Sequence, residues 1–425
     1  MDVVGILLGV SIILFLGFFA EFLFKKFNVP DLLVLIIIGF IIGPYVLGYV
    51  TPDRIASFAP LFTTFAILFL MYDGAFNISL ESLARGAVKS LQIMLFNYFL
   101  SVIIISGITL IFGFDLLTSL LIGFVLGGAC SAFIIPILKQ LKVEGETYSI
   151  LALESALSDV FAIVFAFTIM EIIAVNSFSF QIIFSKIASL FAVAGFIGIV
   201  AGIVWIIVVM KVFKEHKSYM ITVAYLILIY ALTEYLNGNG AIAALFFGLM
   251  LKNSKDITTL FSKLLYRGDD KKKQEEMREK YVIDVTSPTE EFFYSQISFF
   301  LKTFFFVYVG VLIQLSDTRA LLIGIIITVA IMLTRLLNKY LTKKFNEFDQ
   351  KLVTGMYARG LAAATIARII VEKNIPQAGE IVNIIFSVIM FTIIFNSIGI
   401  FMLKHSQVKK EKKHKKEETD AALGS

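Results

Sequence analysis

The sequence predicts an all-α polytopic membrane protein of about thirteen transmembrane helices arranged as an inverted repeat, and three observations carry that prediction. First, 58% of the 425 residues are hydrophobic and 16% are charged, against roughly 25% charged in soluble domains. With 43 Phe and a mean hydropathy of +0.89, too little polar surface remains to coat a soluble globule. Second, the apolar residues fall in blocks of about 20, the length that crosses a bilayer as helix. A lipid-facing segment must satisfy its own backbone hydrogen bonds, which selects helices where no alternating strands occur. Third, two of the blocks are interrupted by Gly or Pro at corresponding places in the two halves of the chain, a pattern of transporter binding sites.

The spans are placed at 3–24, 31–50, 58–77, 89–112, 116–138, 147–174, 182–210, 218–236, 240–252, 296–315, 320–341, 350–371 and 380–403. The first lacks a basic leader and a small-residue cleavage site before Lys25, so it reads as a retained span and not a secretion signal. The second carries Gly39 and Gly43-Pro44, and the third carries Asp73 near one end. Span five is punctuated by Gly127, Gly128 and Pro136, and span twelve by Gly355 and Gly360. Spans 1–6 and 8–13 are offset by seven, an odd number, so the two repeats run in opposite senses. Between spans nine and ten, Asn253–Ser295 reads as a polar cytoplasmic loop with a solvated helix over Asp269–Lys280. Residues 1–404 thus form one transmembrane domain containing loop 253–295. Residues 405–425 form a basic, disordered cytoplasmic tail whose closing Ala-Leu-Gly-Ser resembles an appended remnant.

An odd number of spans puts the termini on opposite sides. One set of loops holds Lys25 and Lys26, Arg85 and Lys89, Lys139 and Lys142, then Lys211, Lys214 and Lys217, while Gly113–Asp115, Asn176–Phe180 and Asn237–Gly240 hold no Lys or Arg. The positive-inside rule then sets the N-terminus outside and the C-terminus in the cytoplasm, in a multi-pass protein of the cell (inner) membrane. The same loop bias accounts for the net charge of +5 without a nucleic-acid partner. No Walker or dinucleotide fingerprint occurs, so neither a nucleotide nor another cofactor is expected. His216, His405 and His414 lie in loops or the tail, which argues against a metal site in the membrane.

A charge inside a span costs roughly 2.5–3.5 kcal/mol on insertion scales, so each needs a reason. The deep ones are Glu154 and Asp159 in span six, Arg335 in span eleven and Arg359 in span twelve. Ser155 and Asp159 are i,i+4 neighbours on one helix face, whereas Glu154 lies about 140° around. Two jobs follow: one acid paired with an arginine, the other facing a cavity and free to take up and release a proton. The alternative makes both acids ion-pair partners of the two arginines. Cys130 reads as a small core residue of span five, and Lys302 as a cation that either snorkels to the interface or reaches the ion path.

At these residues the sequence resembles the cation:proton antiporter superfamily. Lys26…Pro30 with Gly39-Phe40-Ile41-Ile42-Gly43-Pro44 looks like its second-span signature. Glu154-Ser155-Ala156-Leu157-Ser158-Asp159 resembles its Glu-Ser-x-x-Asn-Asp element, Phe304–Gly310 its aromatic run, Leu333-Thr334-Arg335 its arginine span and Ala358-Arg359-Gly360-Leu361 its Pro-Arg-Gly element. Two departures stand out: Ser158 replaces Asn or Asp, and Ala129-Cys130-Ser131 replaces a Thr-Asp-Pro that carries a carboxylate.

The resemblance implies a dimerisation domain, a homodimer, and a six-helix core in which spans five and twelve are discontinuous and cross. It implies a secondary active antiporter serving pH homeostasis, not an enzyme, trading Na⁺ (or K⁺ or Li⁺) for protons by alternating access at Asp159. Ser155, Ser131, Cys130 and Ser158 would complete the ion site as its alkali-metal and proton partners, with Asp159 and Ser155 foremost. Glu154, Arg335 and Arg359 would form the structural ion pair, and Asp73 would line the funnel. With one carboxylate at the site, one-for-one electroneutral exchange is expected. A cation channel or conducting subunit is the competing expectation.

Overall fold

Proline, glycine and caps set the helix ends that matter for the site. A computed structural model describes the chain except residues 1–2, 28–30, 52–58, 77–79, 142, 144, 176–179, 212–218, 237, 266–287, 344 and 424–425. The first four helices are α1 (Val3–Phe27), α2 (Asp31–Ile42), α3 (Ala59–Phe76) and α4 (Leu80–Ile111). Span five is split into α5 (Leu116–Gly127) and α6 (Ser131–Gln140), followed by α7 (Gly145–Val175) and α8 (Phe180–Lys211). Next come α9 (Tyr219–Tyr235), α10 (Gly240–Lys252), α11 (Ser254–Leu265), α12 (Pro288–Leu312), α13 (Thr318–Arg335) and the short α14 (Asn338–Leu341). Span twelve is split into α15 (Glu347–Gly355) and α16 (Leu361–Glu372), and α17 (Ala378–Leu423) closes the chain.

Among the described residues, eight helical segments are long and apolar enough to cross a membrane, and shorter apolar helices such as α2, α9 and α10 lie among them. The chain is a multi-pass, all-helical membrane protein. Burial separates its layers: 72% of the Leu116–Leu138 segment is enclosed by protein against 17% of Leu7–Phe24. The broken span is therefore the centre, and α1 lies at the periphery with Leu7, Phe15 and Phe18 exposed.

Four boundaries differ from the sequence expectation. Span two was placed to residue 50, but α2 ends at Ile42, where Pro44 lacks an amide to continue the ladder and the chain folds back through Gly48 N donating to Gly43 O. Span eleven ends at Arg335 and resumes as α14. Loop 253–295 holds α11 at its start, and α12 begins at Pro288, a residue suited to a first helical turn; the helix expected over 269–280 lies outside the described residues. The tail expected to be disordered instead continues α17 to Leu423, because its Lys, Glu and Gln are good helix formers.

A candidate ion site at the crossing of two broken helices

Each interruption leaves a helix end inside the protein, and its backbone groups need partners. The two breaks meet and supply some of them: the Cys130 amide donates to the Ala358 carbonyl at 2.8 Å. Gly360 makes that approach possible. Its φ of −167° suits any residue, but a Cβ there would run into Cys130 Sγ and sit 2.9 Å from Cys130 Cβ. Neighbouring helices hold others. Arg359, 1% exposed, donates through Nη1 to the Gly128 carbonyl at 2.6 Å and through Nη2 to Ser101 Oγ at 3.3 Å. A guanidinium there compensates the negative end of α5. From α17, Thr392 Oγ1 accepts from the Arg359 amide at 3.0 Å and Asn396 Oδ1 from the Tyr357 amide at 3.2 Å.

Asp159 enters from α7. Its Oδ2 accepts from Ser131 Oγ at 2.6 Å and from the Ser131 amide at 3.3 Å, so the carboxylate faces the first turn of α6. An anion at a helix N-terminus meets unsatisfied amides and the positive end of the dipole. Asp159 is 8% exposed. Among the described residues both its hydrogen-bond donors belong to Ser131.

The other expected site residues divide by place. Ser155 does not hold Asp159: its hydroxyl, fully buried, donates to Ala152 O at 3.1 Å, a turn back along its own helix. Back-bonding of this kind satisfies a helical serine without any second side chain. Ser158 Oγ accepts from the Ala129 amide at 2.9 Å and so braces the α5–α6 break. Cys130 contributes its amide to the crossing, and its thiol packs on Gly360.

Glu154 Oε1 lies 2.6 Å from Arg335 Nη1, both residues being nearly inaccessible. Arg359 makes its hydrogen bond to the Gly128 carbonyl instead of a direct ion pair with Glu154 among the described residues. Sequence reasoning missed Asn97, whose Nδ2 donates to Glu154 Oε1 at 2.9 Å, along with Ser101, Thr392 and Asn396. A small polar residue inside an apolar span was the available signal for all four.

A cavity of about 920 Å³ opens beside the site. Ser131 and Leu361, the first residues of α6 and α16, line it together with Asp73. Asp73 therefore faces the same space as the serine that holds Asp159.

The family model described as "Sodium/hydrogen exchanger, transmembrane" matches residues 10–404. A K(+)/H(+) antiporter NhaP of Alkalimonas amylolytica is 24% identical over 264 residues, which is 60% of this chain and 44% of that protein. A K(+)/H(+) antiporter NhaP2 of Shewanella sp. (strain ANA-3) is 24% identical over 234 residues, 54% of this chain and 40% of that protein. The matches thus span less than half the length of these curated relatives. The solved sodium proton antiporter MjNhaP1 of Methanocaldococcus jannaschii at pH 8 aligns with TM-score 0.74 and 19% identity, covering 95% of this chain and 98% of that one. This likeness is one of fold.

Proposed function

Because this chain belongs to the sodium/hydrogen exchanger family, a family of transporters, we propose that it exchanges a monovalent cation for a proton at Asp159. The observation that carries the reading is the Asp159 carboxylate, buried at the crossing of two broken helices and held by Ser131 at 2.6 Å. A deprotonated carboxylate in a low-dielectric site attracts a partly dehydrated alkali cation, and Ser131 Oγ and backbone carbonyls freed at the breaks are hard oxygen ligands of the kind such an ion takes. A protonated carboxyl is neutral and returns without a cation. Proton and cation compete for one group, and that competition couples their opposite movements.

The remaining residues keep the site in shape. Arg359 at the Gly128 carbonyl and Glu154 with Arg335 and Asn97 hold the crossing, so that α5–α6 and α15–α16 move as a body around it. Asp73 lines the approach from the cytoplasm, in a homodimer of the cell membrane with its N-terminus outside. The family description names sodium and the curated relatives' names give K(+), so Na⁺ is the first cation to test and K⁺ and Li⁺ follow. One carboxylate exchanges one proton for one cation, which makes transport electroneutral.

Proteoliposomes of the purified protein with a trapped pH dye test this reading. At zero membrane potential, addition of Na⁺, K⁺ or Li⁺ should move protons outward across the vesicle wall at a rate set by the opposing gradients. Cation flux that follows voltage and ignores the proton gradient would make the protein a channel instead.

A further inference from the structure

The cavity wall contains a charged pair that the exchange reaction does not use. Lys302 Nζ of α12 lies 2.6 Å from Asp31 Oδ2 of α2, with side-chain exposures of 16% and 9%. Asp31 Oδ1 also accepts from the Leu32 amide at 3.0 Å, fixing the carboxylate at the first turn of α2. Both residues line the cavity that reaches Ser131. Its other charged lining residues, among those described, are Glu21 and Asp73.

The pair is not needed to hold its two helices together. A Cβ at Gly39 would collide with the Val307 carbonyl and one at Gly310 with the Ile36 carbonyl, so α2 and α12 already touch backbone to backbone. A partly buried ion pair is in any case weak support for packing, because desolvation offsets much of its attraction. Its other consequence is electrostatic. Charge lining a low-dielectric cavity sets the local concentration of mobile ions.

We propose that Lys302 is a built-in counter-cation of the access cavity: by occupying Asp31 it sets how strongly the cavity gathers monovalent cations in front of Asp159, and so tunes the apparent cation affinity. This rests on the exchange reading above. The ammonium takes the place that a cation on its way inward would otherwise hold at Asp31, so the carboxylate cannot trap the ion short of the site.

The test is the apparent KM for Na⁺ in proteoliposomes at low ionic strength, for the wild type, Lys302→Met, Asp31→Asn and the double variant. Met keeps the length of the apolar stem and removes the charge. Lys302→Met should lower KM by roughly threefold to tenfold and Asp31→Asn should raise it by a similar factor. The double variant, with the wild-type net charge in the cavity, should return to within about twofold of wild type, and added choline chloride should shrink both single-variant effects. Equal KM values across the set, or shifts of the same sign in both single variants, would overturn the proposal and leave the pair as packing. Should a single variant fail to fold, Lys302→Gln and Asp31→Ser carry the same charge changes and the same expected signs. Absence of exchange in the folded wild type would instead refute the exchange reading itself, and this proposal with it.

Discussion

Ser131 reaches Asp159 from another helix, across the break, whereas Ser155 approaches it only along α7 and spends its proton on Ala152 O. The two serines should therefore respond differently to removal. A hydrogen bond to a charged group is worth about 1.5–3 kcal/mol, so Ser131→Ala should raise the apparent KM for cation by about tenfold or more, while Ser155→Ala should change it by less than about twofold. Cation titration of exchange rates checks both, and a larger effect at Ser155 would shift the ligand set toward α7. Glu154 follows another rule. Glu154→Ala leaves Arg335 buried without its 2.6 Å partner, a loss of about 3–5 kcal/mol, and the Glu154→Ala/Arg335→Ala double variant should recover part of the lost thermal stability in detergent. Strictly additive losses would contradict the pairing. These residues differ in how visible they were beforehand. Buried charges announce themselves because an apolar span has no other use for them, so Asp159, Glu154, Arg335 and Arg359 stood out. Asn97 and Thr392 did not, since one amide or hydroxyl in a span carries no unique demand. Helical spacing sees neighbours on one helix only, so the hydrogen bond from Ser131, 28 positions from Asp159, could not be read from it.

Two helix pairs, α5–α6 and α15–α16, meet where their chains are extended, and the meeting depends on one missing side chain. Gly360→Ala would press a methyl against Cys130 and separate Cys130 N from Ala358 O. Overpacking of this kind costs typically about 1–3 kcal/mol. Exchange should fall with stability, and Cys130→Gly introduced beside Gly360→Ala should restore part of both; a double variant no better than Gly360→Ala would place the strain elsewhere. The interruptions themselves were legible, as Gly127-Gly128 and Gly355 with Gly360 sit in the corresponding spans of the two halves. Boundaries were less so. Hydropathy carried span two to residue 50 because Tyr45, Val46 and Leu47 are apolar, yet the helix stops at Ile42 ahead of Pro44. Hydropathy equally failed to follow α17 beyond residue 404, where Lys, Glu and Gln favour helix.

The whole molecule encloses its centre in apolar helices and leaves one carboxylate of α7 at the crossing beside the cavity, and the account of transport follows from that count. Its class was readable from composition and block length alone, because bilayer thickness leaves few alternatives. The packing of α2 on α12 and the Asp31–Lys302 pair were not readable, since they join residues 271 positions apart. If one group trades one proton for one cation, net charge does not move. With the potential clamped by valinomycin and K⁺ and exchange driven by a Na⁺ gradient, steady-state distributions should be the same at every voltage; a shift with voltage would require a second titrating carrier. The most direct measurement is of Asp159→Asn, which keeps the shape and the hydrogen bond to Ser131 but cannot exchange a proton for a cation. Purified, reconstituted Asp159→Asn protein should unfold at a temperature close to wild type and give no cation-dependent dye response with Na⁺, K⁺ or Li⁺. Exchange at the wild-type rate in that variant would contradict the account.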